Sequence, residues 1–367
     1  MSLNFSDSEL ACVWASMVEI SDRHKEILFS IAEPEFLIEN LEMYKEEIEQ
    51  EIGENGYNEL QKLSMPDVVN FVNKITRQNI KIITKFSEDY PESLLDLNYP
   101  PLVLYCVGDV RLLKSECFTV VGTRRCSQEG FMLSRNLCED IASNGLVIVS
   151  GLADGIDTSA HLGALDAGGK TIAVLGFGIS FLTTSTSRSL AVDIVKKGGL
   201  IVTEYKPSMI ATKFTFPVRN RIMAALSKAT LAVEAPHKSG TRYTVEYALK
   251  MGRKVFAVAG KIGSENSELG LEFIKSGKAE CLTSADDILE FYGIVRQSEN
   301  EKYDAEDLGL SDEESVIYDL LKVEDLHLTE LVEHTKYDIK KLNILLTNME
   351  ISGIISKLAG GYYTLNT

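Results

Sequence analysis

The 367-residue sequence lacks the features that mark several large classes of protein. Its 6 cysteines are scattered without a Cys-x-x-Cys pair, and its 5 histidines form no His-Glu-x-x-His motif, so neither a disulfide framework nor a zinc site is expected. No apolar run approaches the roughly 18 residues that span a bilayer, and no basic-then-apolar leader precedes the first helical pattern. These absences predict a cytoplasmic protein with reduced thiols, no membrane contact, no bound metal and no cofactor.

Charge is distributed unevenly along the sequence. The chain has a formal net charge of −17, and its ends are acidic, with 16 acidic against 5 basic residues in 1–75 and 10 against 5 in 308–367. Residues 213–261 reverse this balance, with 10 Lys and Arg against 2 acidic residues. A local excess of that size matters more for binding an anion than the whole-chain sum does.

The apolar patterns divide the first part of the chain into two regions. Residues 1–79 repeat apolar side chains at helical spacing, which predicts a small helical domain. From residue 80, seven short β-branched runs alternate with amphipathic stretches of helical length. Strands that are almost continuously apolar must be covered on both faces. We therefore predict an α/β, Rossmann-like domain over 80–295, with a doubly wound parallel sheet and ligands at the carboxyl ends of its strands.

The C-terminal region has a different pattern. Residues 296–310 are polar and acidic, which predicts a linker, and 311–367 show three helical patterns followed by two strand-like runs around a Gly-Gly turn. Three helices and a hairpin predict a winged helix. Its few concentrated cations are Lys336, Lys340 and Lys341, so two roles stay open: protein contact or self-association, and reading of duplex DNA.

Two glycine-containing turns follow predicted strands in the α/β region. In FTVVGTRRC, the turn formed by Gly122, Thr123 and Arg124 leads into a helix. Unsatisfied amide groups at a helix start and a fork-shaped arginine donor both suit a phosphate. Gly151 occupies the matching place one unit later, in SGLADGID.

Several patterns in the same region resemble catalytic or nucleotide motifs without meeting their requirements. Ser159 and His161 are only two residues apart and cannot face each other on a helix, so they form no triad with Asp157. We interpret these three residues as capping and packing residues. The sequence ALDAGGKT at 164–171 mimics a P-loop, but there a helix precedes and a strand follows. Gly-Phe-Gly at 176–178 has no third glycine, which argues against a dinucleotide site.

The segment KFTFPVRNRI, residues 213–222, combines cations with aromatic rings. Most of it lies in a predicted loop, after the predicted strand at 200–204 and before a predicted helix over 221–227. Single-stranded nucleic acid offers a phosphate track to cations and flat base faces to rings, and stacking contributes roughly 1–3 kcal/mol per base. Lys213 with Phe214 or Phe216 supplies both kinds of group. Further candidate contacts are Arg219, Asn220 and Arg221 in this segment, and Lys238, Ser239 and Gly240 in the cationic loop APHKSGTRYT.

Six motifs occur in an order that is similar to one known family. They are VVGTRR (120–125), VSGLADGIDTSAHLGAL (149–165), TIAVLGFGI (171–179), FPVRNRI (216–222), VEAPHKSGTRYT (233–244) and GRKVFAVAG (252–260). Together they resemble the DNA-processing protein A family, also called DprA or Smf, over nearly all of residues 80–295. The acidic helical region before them and the winged helix after them also resemble the layout of some members.

The resemblance implies a protein that binds single-stranded DNA during natural transformation (competence), protects the incoming strand and helps load the RecA recombinase for homologous recombination. It also implies a homodimer built through the Rossmann domain, and DNA binding without catalysis, so an enzyme is not expected. Residue by residue, the family's Gly-x-Arg loop places its arginine at Arg124. Its Lys-x-x-Phe-Pro motif falls on Lys213 and Phe216, its Arg-Asn-Arg run on 219–221, and the glycine of its Ser-Gly-Leu-Ala loop on Gly151.

The sequence also departs from the family and leaves an alternative function open. Arginine is usual in the family where this chain has Asp154, and TTSTS at 183–187 replaces a Tyr-Pro turn. Ser-Gly-Thr at 239–241 with Glu246 faintly resembles the Gly-Gly-x-Gly-Thr-x-x-Glu loop of nucleotide phosphoribohydrolases, although the double glycine is missing. A nucleotide-binding hydrolase of that type is therefore the alternative.

Overall fold

The computed structural model describes residues 5–18, 20–184, 186–296, 310–322, 324–358 and 360–365. The chain folds as two compact units, Met1–Ile294 and Val295–Thr367. The predicted linker, 296–310, lies outside the described residues except at its two ends. The finer boundaries suggested by the sequence, at residues 79, 295 and 311, stay predictions.

The described residues of the N-terminal segment form five α-helices: α1 (Asp7–Met17), α2 (Asp22–Ile31), α3 (Pro34–Glu39), α4 (Lys45–Gln61) and α5 (Met65–Thr76). A capping box starts α1: Ser6 Oγ accepts from the Glu9 amide at 3.3 Å, and the Glu9 carboxylate accepts from the Ser6 amide at 2.9 Å. The buried rings of Trp14 and Tyr57 belong to the same hydrophobic cluster as Tyr105 of the sheet. The N-terminal helices therefore share a core with one edge of the sheet.

A nine-stranded sheet is the centre of the first unit. Its strands are β1 (Lys81–Thr84), β2 (Val103–Gly108), β3 (Cys117–Val121), β4 (Val147–Ser150), β5 (Thr171–Val174), β6 (Leu200–Thr203), β7 (Ala229–Ala232), β8 (Lys254–Ala257) and β9 (Glu280–Cys281). The helices between and after these strands are α6 (Gln128–Ser143), α7 (Ile156–Asp166), α8 (Arg188–Lys196), α9 (Thr215–Leu226), α10 (Thr241–Lys250), α11 (Glu268–Lys275) and α12 (Ala285–Phe291). The spatial order is β1-β2-β6-β5-β4-β3-β7-β8-β9. This arrangement confirms the Rossmann-like α/β class.

The prediction of a wholly parallel sheet is wrong at one edge. β3 to β9 pair in parallel, but β2 pairs antiparallel with both β1 and β6. The described connection between β1 and β2 contains a 3₁₀ turn, Glu92–Asp96, and no α-helix. Parallel neighbours need a crossover connection, which is usually a helix, so these two strands pair antiparallel instead. The apolar run at 102–108 carried the signal for β2, which the sequence-based prediction did not include.

The strand order places a topological switch point beside β3. From β3 the chain adds β4, β5 and β6 on one side, and then returns to add β7, β8 and β9 on the other. The connections after β3 and after β7 therefore diverge at the carboxyl edge of the sheet. Open α/β sheets bind ligands in the crevice at such a point.

The second unit has the predicted winged-helix elements. Three helices, α13 (Asp312–Leu321), α14 (Leu328–Thr335) and α15 (Ile339–Ile351), pack with a three-stranded sheet of order β10-β12-β11. The hairpin strands are β11 (Ile355–Lys357) and β12 (Tyr362–Leu365), and β10 (Leu326–His327) is a short addition that sequence reasoning missed. Tyr363 on β12 is buried in the core of this unit.

Candidate nucleic-acid interface

A cleft of about 400 Å³ opens at the switch point. We call it the switch-point cleft. Its walls come from the turn after β3, the loop after β7 and the first turns of α9 and α10. Nine of the predicted site residues line it: Gly122, Thr123, Arg124, Phe216, Arg219, Asn220, Lys238, Ser239 and Gly240. Sequence reasoning therefore identified loops that the fold brings together.

A cation and an aromatic ring meet in one wall of the cleft. The guanidinium carbon of Arg124 lies 5.2 Å from the centroid of the Phe216 ring. The ring is held from behind, because it packs edge-on against Phe177 with centroids 6.4 Å apart, and a Cβ on Gly176 would lie 2.8 Å from Phe216 Cδ1. The glycine of the rejected Gly-Phe-Gly motif thus leaves room for this ring.

The open side of the cleft is positively charged. Arg124, Arg125 and Lys238 are exposed and line it, and none of them forms an ion pair with another described residue. Arg125 is a lining residue that the prediction omitted, although it follows Arg124 directly in VVGTRR. Ser239 adds a buried Oγ without a hydrogen-bond partner among the described residues. Such a surface suits a ligand with several negative oxygens.

Close backbone packing fixes the turn after β3. A Cβ on Gly122 would lie 2.4 Å from Ile156 Cγ1 and 2.9 Å from the Glu234 carbonyl oxygen, so the turn has no room for a larger residue. The Thr123 amide donates to that same carbonyl at 2.6 Å. The Glu234 carboxylate in turn accepts from the amide and the hydroxyl of Ser127, at 2.8 and 2.6 Å. Sequence reasoning did not identify this role of Glu234.

Arg219 has a structural role in addition to lining the cleft. Its guanidinium is buried and donates to the carbonyl oxygens of Gly151, at 2.9 Å, and Val174, so it ties α9 to the ends of β4 and β5. Burial lowers the pKa of Arg219 to about 10, an effect that Asp157 opposes, so the side chain stays charged at neutral pH. Burial also raises the pKa of Asp157, against the effect of Arg219. Arg219 and Asp157 are both buried, so neither presents its full charge to a ligand in the cleft.

Three predicted residues lie outside the lining of the cleft. Arg221 is buried, pairs with Glu204 and donates to the Tyr99 carbonyl at 3.0 Å. The reason is helical geometry: the prediction began the helix at residue 221, whereas α9 begins at Thr215, and residues two apart on a helix point about 200° apart. Arg219 and Arg221 therefore face opposite sides.

The other two residues are Gly151 and Lys213. Gly151 supports the cleft from behind, because a Cβ there would lie 2.6 Å from Arg219 Nη2 and 2.7 Å from Asp157 Oδ2. Lys213 is exposed, and its Nζ lies 5.0 Å from the ring centroid of Phe214, which is itself 68% exposed. The structure thus pairs Arg124 with Phe216 and Lys213 with Phe214, one of the two rings that the sequence left open as its neighbour.

Two residues considered above for catalysis, His161 and Glu246, do not line the cleft. His161 is buried and its Nδ1 lies 2.7 Å from Thr171 Oγ1, which fits its interpretation as a packing residue. Glu246, on which the hydrolase alternative depends, does not line the cleft and pairs with Arg242 at 3.7 Å. Within the described ranges no cluster of three or more potential metal ligands occurs. The six cysteines, all in described segments, are unpaired, and burial raises the pKa of Cys138 to about 12.

No helix in the described part of the chain is both long and apolar enough to span a bilayer.

Comparison with known proteins identifies relatives of both units. The model of the DNA recombination-mediator protein A family matches residues 81–293, and the DprA winged helix domain matches residues 301–361. Protein Smf of Escherichia coli (strain K12) is 34% identical over 300 residues, which cover 79% of this chain and 79% of that protein. The DNA processing protein DprA of Streptococcus pneumoniae is 40% identical over 200 residues, covering 54% of this chain and 70% of that protein.

Two solved structures of DNA processing protein A are also similar to this chain. The X-ray structure of DNA processing protein A from Streptococcus pneumoniae matches with a TM-score of 0.63 and 29% identity, covering 78% of this chain and 98% of that one. DNA processing protein A from Helicobacter pylori, whose structure concerns its single-stranded DNA binding mode, matches with a TM-score of 0.52 and 27% identity over 58% of this chain and 95% of that one. A family model that covers more than half of the chain, and a relative aligned over more than two thirds of it, agree on one assignment. This chain belongs to the DNA recombination-mediator protein A family, also called DprA or Smf.

Proposed function

We propose that this chain binds single-stranded DNA in the switch-point cleft. Arg124, Arg125 and Lys238 contact the phosphates, and Phe216 stacks on a base. The observation that carries this proposal is the distance of 5.2 Å between the Arg124 guanidinium and the Phe216 ring. One nucleotide can occupy both groups at once, with its phosphate on the cation and its base on the ring.

The partly exposed ring of Phe216 in the cleft favours single-stranded over double-stranded DNA as the ligand. Bases in a duplex have their faces covered by stacked neighbours, whereas those of a single strand are free to stack on protein side chains. Every base has such a face, so the contact is tolerant of sequence. The Helicobacter pylori relative, whose structure concerns single-stranded DNA binding, supports the same choice of ligand.

We further propose the cellular role that the family resemblance implies. The chain protects single-stranded DNA in the cytoplasm during natural transformation and helps load the RecA recombinase, without catalysing a reaction. It acts as a homodimer formed through the Rossmann domain. The relatives named DNA processing protein support the general role in DNA processing.

The proposed binding site is tested by substituting Arg124→Ala. A hydrogen bond to a charged group contributes about 1.5–3 kcal/mol, so we expect affinity for single strands of any sequence to fall by about tenfold or more. The slope of log K against log salt should also decrease, by about 0.7 for each phosphate that the variant no longer neutralises. Both quantities are measured by fluorescence anisotropy with labelled oligothymidine across a salt series.

A matched control is Arg111→Ala. Arg111 is an exposed arginine that pairs with Asp109 at 2.7 Å and lies in the connection before β3, at the opposite edge of the sheet. Its removal should leave affinity and salt slope unchanged. Equal affinities and equal slopes for Arg124→Ala and the unmodified chain would refute the proposal.

A further inference from the structure

A second cleft lies on the other side of helix α9. It encloses about 590 Å³ between the start of α2, the connection before β2, and helices α9 and α10. We call it the helix-pair groove, and the residues that matter here are Arg23, Tyr99, Val218, Tyr247 and Lys250. None of these five residues was among the site residues predicted from the sequence.

Two parallel stripes of side chains connect this groove with the beginning of α9. On α9, Phe214, Val218 and Arg221 follow one another at spacings of four and three residues, so they share one helix face. Phe214 is 68% exposed and Val218 is 36% exposed. Since a helix rises 1.5 Å per residue, the exposed part of this stripe, from Phe214 to Val218, is about 6 Å long, the length of roughly two stacked nucleotides.

The stripe on α10 has the same spacing. Tyr243, Tyr247 and Lys250 occupy it, and Tyr243 is 49% exposed. Lys250 is exposed and lies 5.9 Å from the ring centroid of Tyr247. Because α9 and α10 pack against each other, the two stripes lie on neighbouring helices and lead to the same groove.

Among the described residues that line the groove, cations outnumber carboxylates. Its carboxylate, Asp96, is paired with Arg253 at 2.6 Å, and Arg221 is already paired with Glu204. Arg23 and Lys250 are exposed and form no ion pair with a described residue. These two exposed cations beside two tyrosines, Tyr99 and Tyr247, repeat the combination of cation and ring found in the switch-point cleft.

We propose that the α9–α10 face and the helix-pair groove form a second subsite for the same single-stranded DNA, an inference that rests on the function proposed above. The strand leaves the switch-point cleft past Lys213 and Phe214, crosses Val218 and Tyr243, and enters the groove. There Lys250 and Arg23 contact phosphates and Tyr247 stacks on a base. Lys213 thereby has a role in the path between the two sites, although it does not line the first.

The test compares short with long oligonucleotides. Single-strand binding sites extend over about 4–16 nucleotides, so oligothymidines of about 4 and about 16 residues serve as probes. The test variant is Arg23→Glu with Lys250→Glu, two exposed positions, and Tyr243→Ala tests the ring contact separately. Lys196→Glu, an exposed lysine at the end of α8, is the control for charge reversal elsewhere.

We expect the Arg23→Glu, Lys250→Glu variant to bind the long probe about tenfold more weakly and to bind the short probe normally. Tyr243→Ala should show the same pattern more weakly, and Lys196→Glu should bind both probes normally. Melting temperatures confirm that each variant is folded. Bromodeoxyuridine at successive positions of the long probe should cross-link to the peptide containing Tyr247 from one end of the strand.

Other results overturn the inference. An unchanged affinity for the long probe would show that the strand does not enter the groove, and an equal decrease for both probes would reveal a general electrostatic effect. The switch-point cleft is judged separately by Arg124→Ala with the short probe. Normal short-probe binding in that variant refutes the proposed function, while a selective decrease in the Arg23→Glu, Lys250→Glu variant would still place DNA in the groove.

Discussion

At the scale of single residues, the geometry of the cleft depends on a glycine that does not line it. Gly151 leaves the space in which Arg219 and Asp157 approach the backbone, and its carbonyl oxygen accepts from Arg219. The sequence placed Gly151 in a phosphate-binding turn. In the structure it supports the cleft by making room for a buried arginine.

We expect Gly151→Ala to lower the free energy of unfolding by about 1–3 kcal/mol, because the added methyl group overpacks against a guanidinium that two carbonyl groups hold in place. Urea denaturation measures this change. Gly240→Ala is the matched control, since a Cβ there would have no neighbour within 4 Å. Equal decreases in the two variants, or none in the first, would contradict this account.

His161 links the stability of the fold to pH. Thr171 Oγ1 donates its hydrogen to the Ile148 carbonyl at 2.7 Å, so the neighbouring His161 Nδ1 must be the donor in their contact. Its Nε2 is buried and has no hydrogen-bond partner among the described residues. Burial, with a smaller effect of Arg219, lowers the pKa of His161 from 6.5 to about 3.

We expect the contribution of His161 to stability to be complete above about pH 6.5 and to disappear as the pH falls toward 3. The unfolded chain takes up a proton at this residue in that range and the folded chain does not, so acid favours unfolding. Melting temperatures at pH 7, 6, 5 and 4, compared with those of His161→Gln, measure the difference. Parallel pH profiles for the two proteins would show that the histidine is not the responsible group.

At the scale of the elements, the residue at which helix α9 begins determines which cations line the switch-point cleft. The sequence suggests that residues 213–220 form a loop, in which neighbouring side chains could all reach one ligand. Because α9 begins at Thr215, its period directs Phe216 and Arg219 to one cleft and Val218 and Arg221 to the other. Pro217 is compatible with this because it lies in the first turn, where its missing amide hydrogen is not needed.

The strands also show that local sequence patterns do not predict which segments pair, or in which direction. The apolar runs located seven strands, and the alternation with helices indicated that most would be parallel. Nothing in the run at 102–108 indicates that β2 pairs with β6, which follows it by about a hundred residues, because pairing direction depends on the path of the intervening chain.

At the scale of the whole molecule, a net charge of −17 coexists with a cationic cleft because the two signs lie in different parts of the chain. The cations of residues 213–261 include Lys238, which lines the cleft, and Lys250, which lines the groove. The acids are concentrated in the N-terminal helices and the winged-helix unit. Whether an anion binds depends on the charge of the local surface rather than on the net charge of the chain.

We expect a chain ending at Ile294 to bind single-stranded DNA almost as well as the full chain, because both clefts lie within the first unit and the winged-helix unit has its own core. The exposed face of α15 carries Ile344, 61% exposed, and Ile351, 80% exposed, which suits protein contact better than phosphate contact. Anisotropy with single and double strands measures both chains. Failure of the shorter chain to bind single strands would move the site to the winged-helix unit.

The sequence by itself determined the class of the fold and the loops of the site. Hydrophobic periodicity reports which faces of a segment are buried, and glycine and arginine in turns after strands report where a backbone and a cation can approach phosphate. These signals are local, so they identified the turn at Arg124, the ring of Phe216 and the loop at Lys238 without any structure.

Only the tertiary structure decided which of these groups face one another. Arg124 meets Phe216 because the turn after β3 and the start of α9, which leads from β6 to β7, both line the switch-point cleft. Arg221 turns away because α9 starts earlier than its sequence indicates. The helix-pair groove depends on the packing of α9 against α10 and on a distant N-terminal residue, Arg23. Contacts between residues far apart in sequence follow from the course of the whole chain, which no local pattern contains.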